Sequence, residues 1–176
     1  MKFFTSTFAL LTGTSALVIE RDLPTAISVI GDVSKAFSSL AKATEDYNGD
    51  FAPIEQAANI VLAKLDSGTA NLNGMSALTL GECPSLVVPS GELAKQSDDL
   101  SKLMQSRVQD VQAAKKCASV RAFIDKGMAG AATLVTALAN KVPSTLQSTV
   151  ESQGDKATLP FRDARAAYAE DKCKDI

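Results

Sequence analysis

The sequence predicts an all-α fold, an up-and-down bundle of about five helices in a single domain. Apolar residues recur at intervals of three, four or seven, which is the spacing of one face of an α-helix. The clearest stripe consists of Leu23, Ile27, Ile30, Val33, Phe37, Leu40 and Tyr47, and similar stripes diluted with alanine follow along the chain. Within the 176 residues there is no composition shift that would mark a linker, so one domain is expected.

The first sixteen residues are typical of a secretion signal. Lys2 precedes a short apolar centre, and small residues end the segment at Ala16. Polar residues interrupt the apolar run, which is well short of the roughly 18 to 20 residues that span a bilayer. A buried N-terminal helix is the alternative. We expect a signal peptide at residues 1–16, a short pro-segment at residues 17–21 and the helical domain at residues 22–176.

Charge and the C-terminal sequence narrow the choice of partners. The chain has 18 basic and 20 acidic residues, a formal net charge of -2, without a basic block. This argues against nucleic acid or anionic membranes as electrostatic partners. The last residues lack the hydrophobic tail of a lipid-anchor signal. We expect a soluble, secreted, extracellular protein that is monomeric and is not an integral membrane protein.

The first two helices have clear start and stop signals. Asp22 can cap the first helix, which runs to Tyr47 and ends at the turn 48–50. Asp50 can cap the second helix, whose period continues to about Leu80 although two glycines weaken it. Its inward face consists of Ile54, Ala57, Ala58, Val61, Leu62 and Leu65.

Prolines and glycines mark the connection between the second and third helices, at residues 81–91. Its apolar run at residues 86–88 is expected to be a covering loop, with an edge strand as the alternative. Ser90 can cap the third helix, which should end near Lys116. The inward face of this helix consists of Leu93, Leu100, Leu103, Met104, Val108 and Val111.

The fourth helix should end at Val142, because Pro143 ends or kinks it. Its inward face consists of Phe123, Ile124, Met128, Ala131, Leu134, Val135 and Leu138. Residues 144–154 form a weaker segment with at most an extra turn. The last helix is expected to begin near Leu159, with Phe161, Ala164 and Tyr168 at helical spacing.

Three cysteines in a secreted protein are expected to pair where geometry allows. Cys83 precedes the third helix and Cys117 follows it, so about 26 helical residues, or roughly 39 Å, separate them. The fifth helix of an alternating bundle runs parallel to the third, which brings Cys173 out beside Cys117. We predict a Cys117–Cys173 disulfide and a free Cys83. Three reduced cysteines, or Cys83 pairing with another chain, are the alternatives.

The residue chemistry excludes the common catalytic sites. There is no histidine, which removes Ser-His and Cys-His pairs and imidazole metal ligands. The closest match to a nucleophile elbow, residues 74–78, lacks the second glycine. The acidic pairs at 98–99 and 170–171 are adjacent, and adjacent positions on a helix do not face each other. We expect no enzymatic activity, no cofactor and no metal.

The predicted core contains few bulky side chains. Apolar residues make up 45% of the chain, but aromatic residues are only 5% and tryptophan is absent. Alanine faces either pack closely into a dry core or leave an apolar cavity that a hydrocarbon chain could fill. Composition alone favours the dry core. Ser34 interrupts the first stripe; most such serines bond a carbonyl of their own helix, and the alternative partner is a ligand carboxylate.

Three features occur together in this chain: a signal followed by a stretch ending in Arg21, the pattern at residues 27–40, and Leu134-Val-Thr-Ala-Leu138 followed by Lys141-Val-Pro143. With these features the chain resembles the fungal hydrophobic surface-binding protein A and cell-wall galactomannoprotein family. The resemblance, which extends from about Leu23 to Tyr168, implies a secreted or wall-associated helical bundle. It implies members that adsorb to hydrophobic surfaces and others that hold fatty acids in a central cavity, and it brings no catalytic residues. An odd cysteine count and the lack of a long Ser/Thr-rich tail depart from the family pattern and argue against covalent wall attachment.

We therefore predict a secreted, non-enzymatic protein that binds fatty acids, other lipids or hydrophobic polymer surfaces through the interior of the bundle. A structural or antigenic cell-wall mannoprotein with a dry core, and a secreted effector that binds a host protein, are the alternatives. Candidate residues for a ligand cavity are Ile27, Ile30, Ser34, Phe37, Val61, Leu65, Leu100, Met104, Val108, Ile124, Leu134 and Leu138.

Overall fold

The computed structural model describes residues 22–175, so the expected signal peptide and pro-segment lie outside the described residues. This part of the chain is helical and has no strand. The predicted all-α fold is confirmed. The helices are α1 (Asp22–Glu45), α2 (Ala52–Gly74), a 3₁₀ helix (Cys83–Leu86), α3 (Val87–Ser106), α4 (Val108–Ala113), α5 (Cys117–Ala139) and α6 (Ser144–Ala167).

The five long helices form a closed ring. α1 packs against α2 and α3, α5 packs against α2 and α6, and α6 packs against α3. Because the long helices alternate in direction along the chain, α1, α3 and α6 run one way and α2 and α5 run the other. Each helix therefore has two main neighbours and turns one face inward, and side chains have to fill the middle of the ring.

The stripe predicted on α1 faces this interior. Val33 and Leu40 are almost fully buried, and the α1 residues Ala26, Val29 and Ala36 are buried beside the stripe. The buried face is wider than the stripe because α1 packs against two helices at once. The turn after α1 is the one the sequence indicates, with Gly49 at a φ of 106° that favours glycine.

α2 ends at Gly74, so its predicted continuation to Leu80 is wrong. Met75 has extended backbone geometry, with a ψ of 159°. The side chain of Lys141 donates to the carbonyls of Asn73 and Met75 at 3.0 and 2.7 Å, which satisfies backbone acceptors at the end of α2. Leu72 is buried within the last turn of α2, whereas Met75 and Leu78, which suggested a longer helix, are buried from the irregular backbone that follows.

The third predicted helix has different bounds and is broken. It begins at Val87 rather than at a Ser90 cap, and the expected covering loop at residues 86–88 instead ends the 3₁₀ helix and starts α3. Arg107, with φ -101° and ψ 11°, separates α3 from α4. The chain then turns at Lys115, whose φ is 56°, and continues as α5. The break accounts for the sixth helix.

α6 begins at Ser144, so the weak segment predicted at residues 144–154 is wrong. Its sequence is polar and contains Pro160, which hides the helical pattern. Tertiary packing overrides these local signals, because α6 lies against both α3 and α5. Ser101 on α3 donates a hydrogen bond to the carbonyl of Pro160.

A disulfide between Cys117 and Cys173 joins the start of α5 to the C-terminal segment, and Cys83 is free. The two bonded cysteines have Cα atoms 5.6 Å apart. Asp175 reinforces this junction, because its carboxylate accepts the backbone N–H groups of Cys117 and Ala118 at 2.6 and 3.1 Å. A carboxylate at a helix N-terminus is electrostatically favourable.

Among residues 22–175, α5 is the one helix long and apolar enough to cross a membrane by length and composition. In the structure it packs against α2 and α6, and Val120, Ile124 and Leu134 are buried. Of its apolar window, 22% is buried inside the bundle.

Candidate functional site

A cavity of about 60 Å³ lies in the middle of the ring. All five long helices contribute to its wall, which is apolar except for Ser97 and Thr158. Thr158 has a partner, because its hydroxyl donates to the carbonyl of Asp155 at 3.2 Å. The dry core that composition favoured is therefore interrupted at its centre.

Small residues explain why this central cavity remains open. Gly127, Ala131 and Ala157 lie on the wall, where larger side chains would fill the space, and a Cβ at Gly127 would meet nothing within 4 Å. Glycine also sets the helix spacing at one point: a Cβ on Gly130 would stand 3.3 Å from Leu65, so α2 and α5 approach closely there. The alanine and glycine residues in the inward faces thus have two effects. At some levels of the bundle they let neighbouring helices approach closely, and at another level they leave empty space.

Ser97 on α3 is the polar exception in the wall. The residue is 1% exposed, and its Oγ is the buried side-chain oxygen or nitrogen of residues 22–175 that has no hydrogen-bond partner. Other helical hydroxyls behave differently: those of Thr44, Thr69 and Thr133 donate to the carbonyl four residues earlier. An unsatisfied buried hydroxyl costs about 1–3 kcal/mol. The Ser97 hydroxyl is therefore available to a molecule that enters the cavity.

A second cavity of about 60 Å³ lies at the end of the bundle where α1 ends and α5 begins. We call it the end cavity. Its charged wall residues are already paired: Lys116 lies 2.8 Å from Glu55, and Arg107 lies 3.0 Å from Asp110. The rest of the wall is largely apolar and includes Leu40, Ile54, Ala58, Met104, Val111 and Val120.

Tyr168 forms part of the end-cavity wall and anchors the C-terminal segment. It is 1% exposed, and its hydroxyl donates to the carbonyl of Met104 at 2.6 Å. Burial, together with the negative charge of Asp110, raises the pKa of Tyr168 well above its usual range. The phenol therefore remains a neutral hydrogen-bond donor that joins the C-terminal segment to α3.

Half of the candidate cavity residues lie on these two walls. Phe37, Val61, Leu65, Ile124 and Leu134 border the central cavity, and Met104 borders the end cavity. The others lie elsewhere: Ile30 and Leu100 are buried in the surrounding core, Ile27 and Leu138 are half-buried at its edge, and Val108 borders an open, polar surface groove.

Ser34 has neither of the partners considered for it. Its hydroxyl donates to the side-chain oxygen of Gln96 on α3 at 2.6 Å, and the residue lies on neither cavity wall. It therefore links α1 to α3. The serine that does reach the cavity, Ser97, follows Gln96 directly.

Sequence reasoning missed Ser97, although a signal was present. Ser97 and Ser101 are four residues apart and lie among the inward residues Leu93, Leu100 and Met104. Two serines on a buried helical face require two partners. Only Ser101 has found one within the described chain, at Pro160.

Comparisons with known proteins agree on a family and on a fold. A family model described as hydrophobic surface binding protein A matches residues 23–140. Cell wall mannoprotein 1 of Aspergillus fumigatus is 27% identical over 161 residues, which cover 90% of this chain and 56% of the relative. The chain therefore spans a little over half the length of that relative.

Two solved structures show the same architecture. The ligand binding domain 1 of the Penicillium marneffei MP1 protein, complexed with arachidonic acids, superposes with a TM-score of 0.81 at 19% identity, covering 85% of this chain and 99% of that domain. AFMP4P in complex with palmitic acid superposes with a TM-score of 0.79 at 17% identity, covering 84% of this chain and 100% of that one. At these identities the likeness establishes the fold.

Proposed function

Because this chain belongs to the hydrophobic surface binding protein A family, we propose that it is a non-enzymatic extracellular protein that binds fatty acids inside its helical ring. The observation that carries the proposal is the unpartnered Ser97 hydroxyl in the wall of an otherwise apolar cavity. A fatty acid combines the two matching properties, a long apolar chain and one polar end group.

The chemistry of the wall defines how such a ligand is held. Each buried methylene contributes on the order of 0.8 kcal/mol. The Ser97 hydroxyl would donate a hydrogen bond to a carboxyl oxygen, and no charged side chain lies on the described wall of the central cavity. The ligand is therefore held by packing and by one hydrogen bond rather than by an ion pair.

Both cavities are smaller than usual ligand sites. Small-molecule sites commonly enclose about 300–1,000 Å³, whereas each cavity here has about 60 Å³. A long acyl chain would therefore have to displace wall side chains when it enters. The MP1 domain and AFMP4P, which have the same fold, are each described in complex with a fatty acid, and this supports the proposal.

A matched pair of substitutions tests binding in the ring. Ala131 lies on the central wall, whereas Ala129, two residues earlier on α5, is exposed. Ala131→Leu fills the cavity, and we expect it to lower the affinity for palmitic acid at least about tenfold, or about 1.4 kcal/mol. Ala129→Leu makes the same chemical change outside the cavity and should leave the affinity unchanged.

The measurement is saturable uptake of labelled palmitic acid by the delipidated protein, together with mass spectrometry of a solvent extract of the protein as purified. No saturable uptake by the unmodified protein would contradict the proposal. If Ala131→Leu and the unmodified protein have equal affinities for palmitic acid, the acid binds outside the central cavity.

Adsorption to hydrophobic surfaces is a second function that one observation favours. Leu80, in the connection between α2 and α3, is 61% exposed, and Val87 and Val88, the first two residues of α3, are both 68% exposed. Exposed apolar side chains close together in sequence are a usual feature of adhesive surfaces. They lie at the end of the bundle opposite the disulfide, so adsorption there would not need the cavities.

Replacing Val87 and Val88 by serine tests this second function. We expect reduced adsorption to polystyrene beads with unchanged uptake of palmitic acid. Ile60→Ser provides the control, because Ile60 is also an exposed apolar residue, at 44%, on the outside of α2. Equal adsorption of the unmodified protein, the Val87→Ser/Val88→Ser variant and Ile60→Ser would show that Val87 and Val88 are not needed for adsorption.

A further inference from the structure

The two cavities share one wall residue. Among the described residues that line them, Phe123 on α5 belongs to both walls. It is half-buried and packs against the core. The aromatic side chain thus stands where the central cavity and the end cavity come closest.

Along α1 and α2, the partition between the cavities is about one helical turn thick. On α1, Phe37 borders the central cavity and Leu40 borders the end cavity; on α2, Val61 and Ala58 stand in the same relation. Three residues correspond to about 4.5 Å of rise along a helix. On α3 and at the end of α6 seven residues, or about 10.5 Å, separate the two walls, Ser97 from Met104 and Phe161 from Tyr168. The cavities therefore approach within one layer of side chains on the side of α1 and α2, and Phe123 on α5 borders both of them.

We infer that Phe123 is an internal partition that determines which acyl chain lengths the protein binds. The inference rests on the proposed function. A cavity needs about 10–15 Å³ to hold one water molecule, so each space of about 60 Å³ holds about five groups of that size. Octanoic acid, with ten non-hydrogen atoms, fits when one cavity widens by displacement of its wall side chains. Palmitic acid, with eighteen, exceeds one widened cavity and has to pass Phe123 to occupy both.

Phe161 provides a matched control for the ring itself. It lines the central cavity, with its ring centre 5.5 Å from that of Phe37, but it does not line the end cavity. Phe161→Ala enlarges the central cavity without opening it to its neighbour. Phe123→Ala removes the same atoms and connects the two cavities.

The experiment compares the affinities of the delipidated proteins for octanoic acid and palmitic acid. We expect the two alanine variants to have similar affinities for octanoic acid. Phe123→Ala should bind palmitic acid about tenfold more tightly than Phe161→Ala, because the long chain no longer displaces a ring. Circular dichroism shows whether each variant is folded, and Phe123→Leu, which keeps a smaller apolar side chain, should give a change in the same direction.

The outcomes separate this inference from the proposed function. If the unmodified protein takes up neither acid, the proposed function is wrong. If it binds palmitic acid and the two alanine variants show the same ratio of the two affinities, or if Phe123→Leu leaves that ratio at its original value, the partition is wrong and the fatty-acid site remains.

Discussion

Gly154 on α6 lies so close to Val135 on α5 that a Cβ atom at position 154 would stand 2.5 Å from both methyl carbons of Val135. Both residues border the central cavity. Real Cβ atoms do not approach this closely, so any larger residue at position 154 would push the two helices apart or force Val135 out of its rotamer. The closure of the ring between α5 and α6 therefore depends on this glycine.

Gly154→Ala should destabilise the protein by about 1–3 kcal/mol, the usual cost of overpacking a core. The direction of the change in unfolding free energy is informative, because a Gly→Ala substitution in an unobstructed helix stabilises a protein by about 0.5–1 kcal/mol. Gly31→Ala is the control, since a Cβ at Gly31 in α1 has no neighbour within 4 Å. Chemical denaturation measures both free energies, and a stabilised Gly154→Ala variant would contradict the close approach.

Ser97→Ala should have opposite effects on stability and on binding. It removes a buried hydroxyl without a partner, so the ligand-free protein should become more stable by about 1 kcal/mol. It also removes the proposed hydrogen bond to the ligand, so affinity for palmitic acid should fall about fivefold to tenfold. Denaturation and ligand titration measure the two effects separately.

Ser101→Ala is the matched control for Ser97→Ala, one helical turn further along α3. Its hydroxyl already donates to the carbonyl of Pro160, so its loss should destabilise the protein by about 1 kcal/mol. It should leave the affinity for palmitic acid unchanged, because Ser101 lines neither cavity. If Ser97→Ala binds palmitic acid as tightly as the unmodified protein does, the Ser97 hydroxyl does not contact the ligand.

Ser34→Ala is expected to act on stability alone. The hydroxyl of Ser34 donates to Gln96 at 2.6 Å and links α1 to α3. Its removal should cost about 0.5–1.5 kcal/mol, the net value of one hydrogen bond. A weaker affinity for palmitic acid in this variant would restore the ligand role that the sequence suggested for Ser34.

The apolar period of the sequence predicts the helices that bury a complete stripe, and it fails where local signals and packing disagree. α1 follows its stripe because each inward position carries a side chain that packs on α2 or α3. α6 buries only Ala164 completely. The inward positions of its first half, Leu146, Val150 and Gly154, do have helical spacing, but they stand among polar residues and one of them is a glycine, so the apolar period is weak. Contacts with α3 and α5 stabilise this helix, and such contacts are not encoded in the segment itself.

The sequence indicated an apolar interior that could contain a cavity, but it did not indicate Ser97 as the polar residue of the cavity wall. Alanine dilution indicated that the interior could hold a cavity, and five of the chosen residues do border the central one. The choice between Ser34 and Ser97 depends on a neighbour across the helix interface, Gln96, which pairs with Ser34. Helical spacing gives the face on which a serine lies, whereas its partner is set by the rotation of the facing helix.

The Cys117–Cys173 disulfide should contribute about 2–4 kcal/mol, because it closes a long loop and restricts the unfolded chain. Replacement of both cysteines by serine should lower the unfolding free energy by this amount. The C-terminal segment should remain docked in part, since Arg121 also donates to the carbonyls of Tyr168 and Cys173 at 3.2 and 2.9 Å. Cys83→Ser is the control, and peptide mapping under non-reducing conditions verifies the bond; a crosslink that includes Cys83 would contradict it.

The Asp32–Lys64 pair should make part of the stability depend on pH. The Lys64 ammonium lies 2.9 Å from the Asp32 carboxylate and joins α2 to α1. Its hydrogen bond and charge lower the pKa of Asp32 below the usual 3.8. A carboxyl group whose pKa is lowered by folding stabilises the fold above its unfolded-state pKa, and this contribution is lost as the pH falls through the lower, folded-state value.

Asp32→Asn should therefore reduce the acid sensitivity of the protein. Between about pH 5 and pH 2 the unfolding free energy of the unmodified protein should fall more steeply than that of the variant. Lys64→Gln should have the same effect, and the double variant should add little, because each single change already removes the pair. Asp66→Asn, at an exposed position on α2, is the control. Parallel pH profiles of the unmodified protein and Asp32→Asn would show that the pair contributes nothing, as is common for ion pairs that are about 40% exposed.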